Sequence, residues 1–76
     1  MSAVRKRSVV IRGHRTSFSL EEPFFAELER IAVARRMSLA ALVAEVDSRR
    51  GSETNLSSAL RLHVLAWVKR EGADKI

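Results

Sequence analysis

The chain has 76 residues, of which 46% are hydrophobic and 30% are charged, with one proline and three glycines. This composition is typical of one folded domain and excludes a collagen-like or disordered chain. A chain of this length buries only about 60% of the surface that its unfolded form exposes, so we expect a second subunit to complete its core. The absence of cysteine excludes disulfides and thiolate metal sites, and no apolar run is long enough to cross a bilayer. We therefore expect a cytoplasmic protein that does not bind a membrane.

The positive charge of the chain is concentrated at its N-terminal end. Residues 1–20 contain five basic residues and no acidic residue, whereas residues 21–76 contain nine of each. A basic segment attached to a neutral body is typical of proteins that bind a polyanion, and nucleic acid is the leading candidate. The alternative is a solvated basic tail without a partner. The five basic residues are Arg5, Lys6, Arg7, Arg12 and Arg15.

Polar and apolar residues alternate over residues 16–20, which predicts one short strand. Phe18 and Leu20 then share one face of this strand. The opposite face carries Arg15, Ser17 and Ser19.

The backbone groups of a lone strand need a partner, and two partners are possible. The first is a hairpin within the chain, which turns at Gly13 and His14 as a type II′ turn and places Arg12 opposite Arg15, a like-charge pair. The second is the same strand of another molecule, paired antiparallel about a two-fold axis, which also enlarges the small core. We favour the second arrangement.

Three helices are predicted after the strand, over residues 21–36, 38–49 and about 55–72, of which the first is amphipathic and the third is apolar on more than one side. Ser38 is the predicted N-cap of the second helix, and Asn55 or Ser57 of the third. The first two helices are joined by a very short connection without glycine. If this connection adopts the usual left-handed C′ geometry, its non-glycine residue costs about 1 kcal/mol.

The predicted strand and the start of the first helix form one run from Arg15 to Leu28, Arg-Thr-Ser-Phe-Ser-Leu-Glu-Glu-Pro-Phe-Phe-Ala-Glu-Leu, and Ile31-Ala32, Met37-Ser38 and Leu42-Val43 follow it. Over residues 14–49 the chain thereby resembles the ribbon-helix-helix family of bacterial DNA-binding proteins, and the whole sequence is similar to a small stand-alone subfamily. The resemblance implies a mostly α fold with one short strand, in which an intertwined homodimer forms a two-stranded antiparallel ribbon. It divides the chain into a basic N-terminal arm (1–13), a ribbon-helix-helix core (14–50) and a loop, an additional C-terminal helix and a short tail (51–76).

The resemblance also implies which residues contact DNA. The base-contacting positions of the ribbon, which enters the major groove, fall on Arg15, Ser17 and Ser19. A phosphate clamp falls on the backbone amides of Ser38 and Leu39, where a helix N-terminus favours an anion. Further phosphate contacts are expected from Arg5, Lys6, Arg7, Arg12 and Arg36. The expected dimer core consists of Phe18, Leu20, Phe24, Leu28, Ile31, Leu42, Val43 and Val46.

The expected function is sequence-specific binding of double-stranded DNA, as a transcriptional repressor or autoregulator. An alternative is a protein-interaction module, such as an antitoxin, that docks a partner protein through the apolar third helix. His14 and His63 are far apart in the sequence, and the chain has no nucleophile motif or glycine-rich phosphate loop. We therefore expect no enzyme activity, no metal site and no cofactor.

Overall fold

Two antiparallel strands and three helices make up the structure, a computed structural model that describes residues 3–74. The elements are β1 (Val4–Ile11), β2 (His14–Glu21), α1 (Glu22–Ala34), α2 (Leu39–Arg49) and α3 (Leu56–Asp74). The three predicted helices are confirmed. The strand predicted over residues 16–20 is confirmed within β2, but the prediction that it is short and the one strand of the chain is wrong, because residues 4–11 pair with it and both strands are eight residues long.

Most of the segment that was expected to be a basic arm, residues 1–13, therefore forms β1 and the turn that follows it. The first two residues of that segment, and the last two of the expected C-terminal tail, lie outside the described residues.

The strands are joined by a turn at Arg12 and Gly13, whose φ angles are 52° and 79°. Positive φ at both central residues is typical of a type I′ turn, whose twist matches that of the flanking strands. The prediction of a type II′ turn at Gly13 and His14 is therefore wrong by one residue. The observed register pairs Val10 with Arg15 and leaves Arg12 in the turn, so the expected like-charge pair does not form. Because the register differs by two residues, the same side chains stay on each face of the hairpin.

β2 pairs with β1 of its own chain, which is the less favoured of the two arrangements considered from the sequence. The preference for a partner strand from another molecule is wrong for this edge of β2. The physical reason is proximity, since a two-residue turn closes the hairpin with little loss of chain entropy. At the other edge, the backbone amide of Ser19 donates to Ser57 Oγ of α3 at 2.9 Å.

One face of the hairpin packs against the helices and forms the core. The buried side chains are Phe18, Leu20, Leu28, Ile31, Ala32, Leu42, Val43, Val46, Leu56, Leu60 and Val64. The residues expected in a dimer core are all among them except Phe24, which is half-buried. A single chain therefore already buries these side chains, with α3 as a third layer. No helix within residues 3–74 is both long enough and apolar enough to span a membrane.

The corner between α1 and α2 has the left-handed geometry, with Arg36 at φ 56°. The Arg36 amide donates to the carbonyl oxygen of Val33 at 3.0 Å, and the Met37 amide donates to that of Ala32 at 2.9 Å. These are the two hydrogen bonds of a Schellman motif, whose C′ position usually holds glycine. The chain therefore carries backbone strain of about 1 kcal/mol at Arg36.

Side-chain caps define the starts of α2 and α3, as predicted. Ser38 Oγ accepts a hydrogen bond from the Ala41 amide at 3.0 Å, and Asn55 Oδ1 accepts one from the Ser58 amide at 2.8 Å. Of the two caps considered for α3, Asn55 is the one observed, because the hydroxyl of Ser57 binds β2 instead.

Candidate nucleic-acid interface

The face of the hairpin that points away from the helices carries the residues expected to contact bases. On β2, Arg15 and Ser17 are exposed and Ser19 is half-buried. On β1, the residues directly opposite them are Val10, Ser8 and Lys6. Strand alternation places all of these side chains on one surface, because the buried Phe18 points to the core. We call this surface the outer ribbon face; it consists of Lys6, Ser8, Val10, Arg15, Ser17 and Ser19.

Lys6 and Arg15 are the cations of the outer ribbon face. Both are exposed, and neither has an ion pair among residues 3–74. A shallow hollow of about 380 Å³ lies beside them, lined by Lys6, Arg7, Ser8, Arg15 and Ser17. The structure thus brings two expected base contacts, Arg15 and Ser17, together with one expected phosphate contact, Lys6. Unpaired cations beside hydroxyl groups are suited to phosphate oxygens and to the edges of bases.

Arg5 and Arg7 lie on the opposite face of the hairpin, towards the helices. Both donate to Oε1 of Glu22, in the first turn of α1, at 2.9 Å from Arg5 and 2.5 Å from Arg7. The guanidinium carbon of Arg7 is also 3.6 Å from the ring centroid of Phe25, which is a cation–π geometry. Two of the expected phosphate contacts are therefore already engaged within the chain.

The remaining expected phosphate contacts lie at two corners of the molecule. Arg12 is exposed in the hairpin turn, and Arg36 is exposed at the end of α1. At the start of α2, the first helical hydrogen bond runs from the Leu42 amide to the Ser38 carbonyl oxygen at 3.0 Å. The amides of Ser38 and Leu39 precede it, so neither has an acceptor within the helix.

Acidic residues reduce the positive charge at the end of β2 that is remote from the turn. Arg61 Nε donates to Oε1 of Glu21 at 2.9 Å, and this hydrogen bond lowers the pKa of Glu21 below its ordinary value. Glu21 is therefore ionised at neutral pH. With Glu22 next to it, Glu21 offsets part of the positive charge of Arg5, Lys6 and Arg7 at the helix end of the hairpin.

Sequence reasoning missed three residues of this region. Ser8 and Val10 belong to the outer ribbon face, and Glu22 binds two of the arginines. Residues 5–11 do not alternate, since four polar residues are followed by three apolar ones. The available signal for β1 was Gly13, because it permits the hairpin that pairs this segment with β2.

The fold and the outer ribbon face together define a class of small domain, in which a basic ribbon precedes a capped helix pair. A family model described as a ribbon-helix-helix domain matches residues 4–68 of the chain. Because this match covers most of the sequence, the chain belongs to the ribbon-helix-helix family. The match includes β1 and most of α3, which the resemblance over residues 14–49 left out. Domains of this family are generally DNA-binding, non-enzymatic regulators that typically form dimers. No curated protein and no solved structure matches the chain significantly.

Proposed function

We propose that the protein is a bacterial transcriptional repressor or autoregulator that binds double-stranded DNA as a homodimer, with the outer ribbon face in the major groove. The observation that carries this proposal is that two cations, Lys6 and Arg15, lie beside serine hydroxyls on an antiparallel ribbon and have no ion pair among residues 3–74. The other face of the same ribbon is used by the core. A two-stranded ribbon fits the major groove, where its outward side chains reach the edges of bases.

Arg15 provides most of the sequence discrimination in this proposal, because arginine can donate two hydrogen bonds to guanine. Ser17 and Ser19 are short and either donate or accept, so they discriminate less sharply. Ser19 has the additional constraint that its amide is held by α3. Base preference is therefore expected to be strong at the position that Arg15 contacts and weaker at the others.

Phosphate contacts come in this proposal from two groups of residues. Lys6, Arg12, Arg36 and the amides of Ser38 and Leu39 are available without rearrangement. Arg5 and Arg7 contribute only when a phosphate oxygen replaces Glu22. Binding is expected to weaken steeply with salt, because each phosphate contact releases condensed counterions.

The open edge of β2 supports the dimer. In a hairpin with a two-residue turn, alternate residues of β2 direct their backbone groups away from β1. These residues are Arg15, Ser17 and Ser19. The Ser19 amide binds Ser57, whereas the backbone groups of Arg15 and Ser17 have no hydrogen-bond partner within residues 3–74. Such an edge is a template for pairing with a second chain. We propose that the β2 strands of two chains pair there, antiparallel about a two-fold axis, to give an intertwined four-stranded sheet whose two central strands form the ribbon that enters the groove.

Two proline variants test this dimer. Ser17→Pro removes an amide from the open edge of β2 without removing a hydrogen bond to β1. Ser8→Pro is the matched control, because Ser8 lies directly opposite on β1 and its amide also points away from the hairpin. Sedimentation equilibrium should show that Ser17→Pro is monomeric and that Ser8→Pro is dimeric. Two dimeric variants would exclude pairing through this edge of β2.

DNA binding is tested with duplexes selected from a random library. We expect Arg15→Gln to reduce the preference for selected over random duplexes, at a cost of about 1–3 kcal/mol on the selected sequence. Lys6→Gln should weaken binding to both kinds of duplex alike. Lys69→Gln, an exposed lysine on α3, controls for the loss of one charge. Equal losses on selected and random duplexes for both ribbon variants would contradict the assignment.

The exposed side of α3 favours a second candidate function, docking of a partner protein such as the toxin of a toxin–antitoxin pair. Leu62, Leu65 and Val68 are 60%, 51% and 40% exposed. Their spacing of three residues places them on adjacent parts of the helix surface. Leu65→Glu should abolish such docking in a co-purification from the native host and leave DNA binding intact.

A further inference from the structure

A polar cavity lies between the end of α1 and the second halves of α2 and α3, and its volume is about 260 Å³. Its lining residues are Arg35, Glu45, Arg49, His63, Trp67 and Arg70. None of them belongs to the outer ribbon face, and Arg35, which lies beside Arg36 at the α1–α2 corner, is not one of the proposed DNA contacts.

The lining of this cavity has an excess of positive charge. Arg35 donates twice to Glu45, at 2.6 Å to Oε2 and 2.9 Å to Oε1, and this interaction lowers the pKa of Glu45. Glu45 is therefore ionised and is occupied by Arg35. Arg49 is only weakly held, with its Nη1 4.0 Å from Oε2 of Glu45. With Arg70 included, three guanidinium groups face one carboxylate, which leaves two positive charges uncompensated.

His63 adds a buried polar atom to the same cavity. Its Nε2 is buried and has no hydrogen-bond partner in the part of the chain that the structure describes. Burial, together with the charges of Arg35, Arg70 and Arg49, lowers the pKa of His63, and Glu45 opposes this change. A bound anion would accept a hydrogen bond from Nε2–H of His63 and would offset the positive charge of the arginines.

Trp67 forms an apolar wall beside these charges. Its ring is half-buried, and the guanidinium carbon of Arg70 lies 5.7 Å from the ring centroid. Arginine stacked on an aromatic ring keeps its N–H groups free for a ligand. The cavity therefore has cationic donors from α2 and α3, an imidazole donor and an aromatic surface.

We propose that this cavity binds a small phosphate-bearing molecule, with the phosphate held by Arg49, Arg70 and His63. The two uncompensated positive charges match a phosphate dianion, and guanidinium groups from two helices match its several oxygens. Arg35 takes no part in this contact, because both of its hydrogen bonds go to Glu45. This site is independent of the proposed DNA contacts, so either can fail without the other.

Tryptophan fluorescence tests the site, because Trp67 is the only tryptophan of the chain. Inorganic phosphate is titrated at constant ionic strength, with chloride as the balancing anion. We expect a saturable change in Trp67 emission. Arg49→Gln should weaken phosphate binding about tenfold or more, since it removes a charged hydrogen-bond donor. Lys69→Gln is the matched control; it removes an exposed charge next to Arg70 without altering the cavity lining, and should leave the affinity unchanged.

NMR of the His63 imidazole gives a second readout that does not depend on fluorescence. Bound phosphate should raise the pKa of His63, because a dianion stabilises the imidazolium form. The proposal is overturned by a non-saturable fluorescence response, or by equal weakening in Arg49→Gln and Lys69→Gln. It is also overturned if Arg49→Gln weakens duplex binding and leaves phosphate binding unchanged, since the cluster would then belong to the DNA interface.

Discussion

The same basic segment of the sequence contributes cations to both faces of the hairpin. On the inner face, which points to the helices, these cations are bound within the chain, whereas on the outer ribbon face they are available to a ligand. Arg5 and Arg7 on the inner face are bound by Glu22, whereas Lys6 between them lies on the outer face without an ion pair among residues 3–74. A difference of one position along the strand separates a structural cation from an available one, because successive side chains point to opposite faces. Counting basic residues therefore identifies the class of ligand but not the residues that reach it.

The inner face also shows how a basic segment joins a core. Arg7 has its guanidinium over the Phe25 ring, and that ring lies 6.5 Å from the ring of Phe18, centroid to centroid. The aliphatic part of Arg7 thus covers aromatic surface while its charged end meets Glu22. Within residues 3–74, the outer ribbon face has no ring contact or ion pair of this kind, and most of its side chains are exposed.

The difference between the faces has its largest expected effect on the free energy of unfolding, for substitutions at neighbouring positions of β2. Leu20 is fully buried and Ser19, its neighbour, faces outward. Leu20→Ala should lower the free energy of unfolding by about 2–5 kcal/mol, because it leaves a cavity in the core. Ser19→Ala should change it by less than about 0.5 kcal/mol, since the hydrogen bond to Ser57 uses the backbone amide. Urea denaturation measures both, and similar losses would show that the faces do not differ in this way.

Arg36 affects both stability and the proposed DNA binding. It is an exposed cation, and its backbone has a strained, left-handed conformation. Arg36→Gly should raise the free energy of unfolding by about 1 kcal/mol through relief of the left-handed strain, and should weaken DNA binding. Arg36→Ala removes the same charge without relieving the strain. It should therefore weaken DNA binding equally and give no gain in stability. A stability gain in both variants would exclude the strain explanation.

Substitution of Glu22 should make Arg5 and Arg7, on the inner face of the hairpin, available to DNA. Glu22→Gln should release Arg5 and Arg7, raise affinity for random duplexes about two- to fivefold and steepen the salt dependence. Glu29→Gln is the matched control, because Glu29 is an exposed acid of α1 and the substitution adds the same net charge. If both variants bind random duplexes equally well, the effect is one of net charge, and Glu22 does not restrain the two arginines.

A smaller effect on the free energy of unfolding is expected at acid pH, and it comes from ionisable groups outside the outer ribbon face. The folded state lowers the pKa of His63, mainly by burial, so the unfolded state binds the proton more tightly. The contribution of His63 to stability is therefore present above its ordinary pKa and is lost as pH falls through the lowered value. The lowered pKa values of Glu45 and Glu21, which accept hydrogen bonds from arginines, give a second loss at more acidic pH. Thermal unfolding from pH 8 to pH 3 should show both losses in the wild type. Only the more acidic loss should remain in His63→Gln, and an unchanged profile would exclude the role of His63.

Local patterns were sufficient for much of this fold. Alternation over residues 16–20 predicted the inward and outward faces of β2, and short polar side chains predicted the caps at Ser38 and Asn55. The turn was misplaced because arginine rarely adopts positive φ, whereas the structure places Arg12 there beside Gly13. Hairpin geometry, set by the pairing of two whole strands, overrides that preference.

The ion pairs that decide which cations are available to a ligand could not be predicted from the sequence, for a different reason. Glu22 is separated from Arg5 by 17 residues, and Arg35 from Glu45 by 10. Such pairs depend on how elements pack, which periodicity along one element does not encode. The cavity beside His63 likewise forms only where three helices meet.

NMR of the ¹⁵N-labelled protein, titrated with a DNA duplex, shows directly whether the outer ribbon face contacts DNA. We expect the largest amide shift changes on the outer-face residues of β1 and β2, with smaller changes at Ser38 and Leu39. Saturable binding with the largest changes on the exposed side of α3, and none in the hairpin, would contradict this contact.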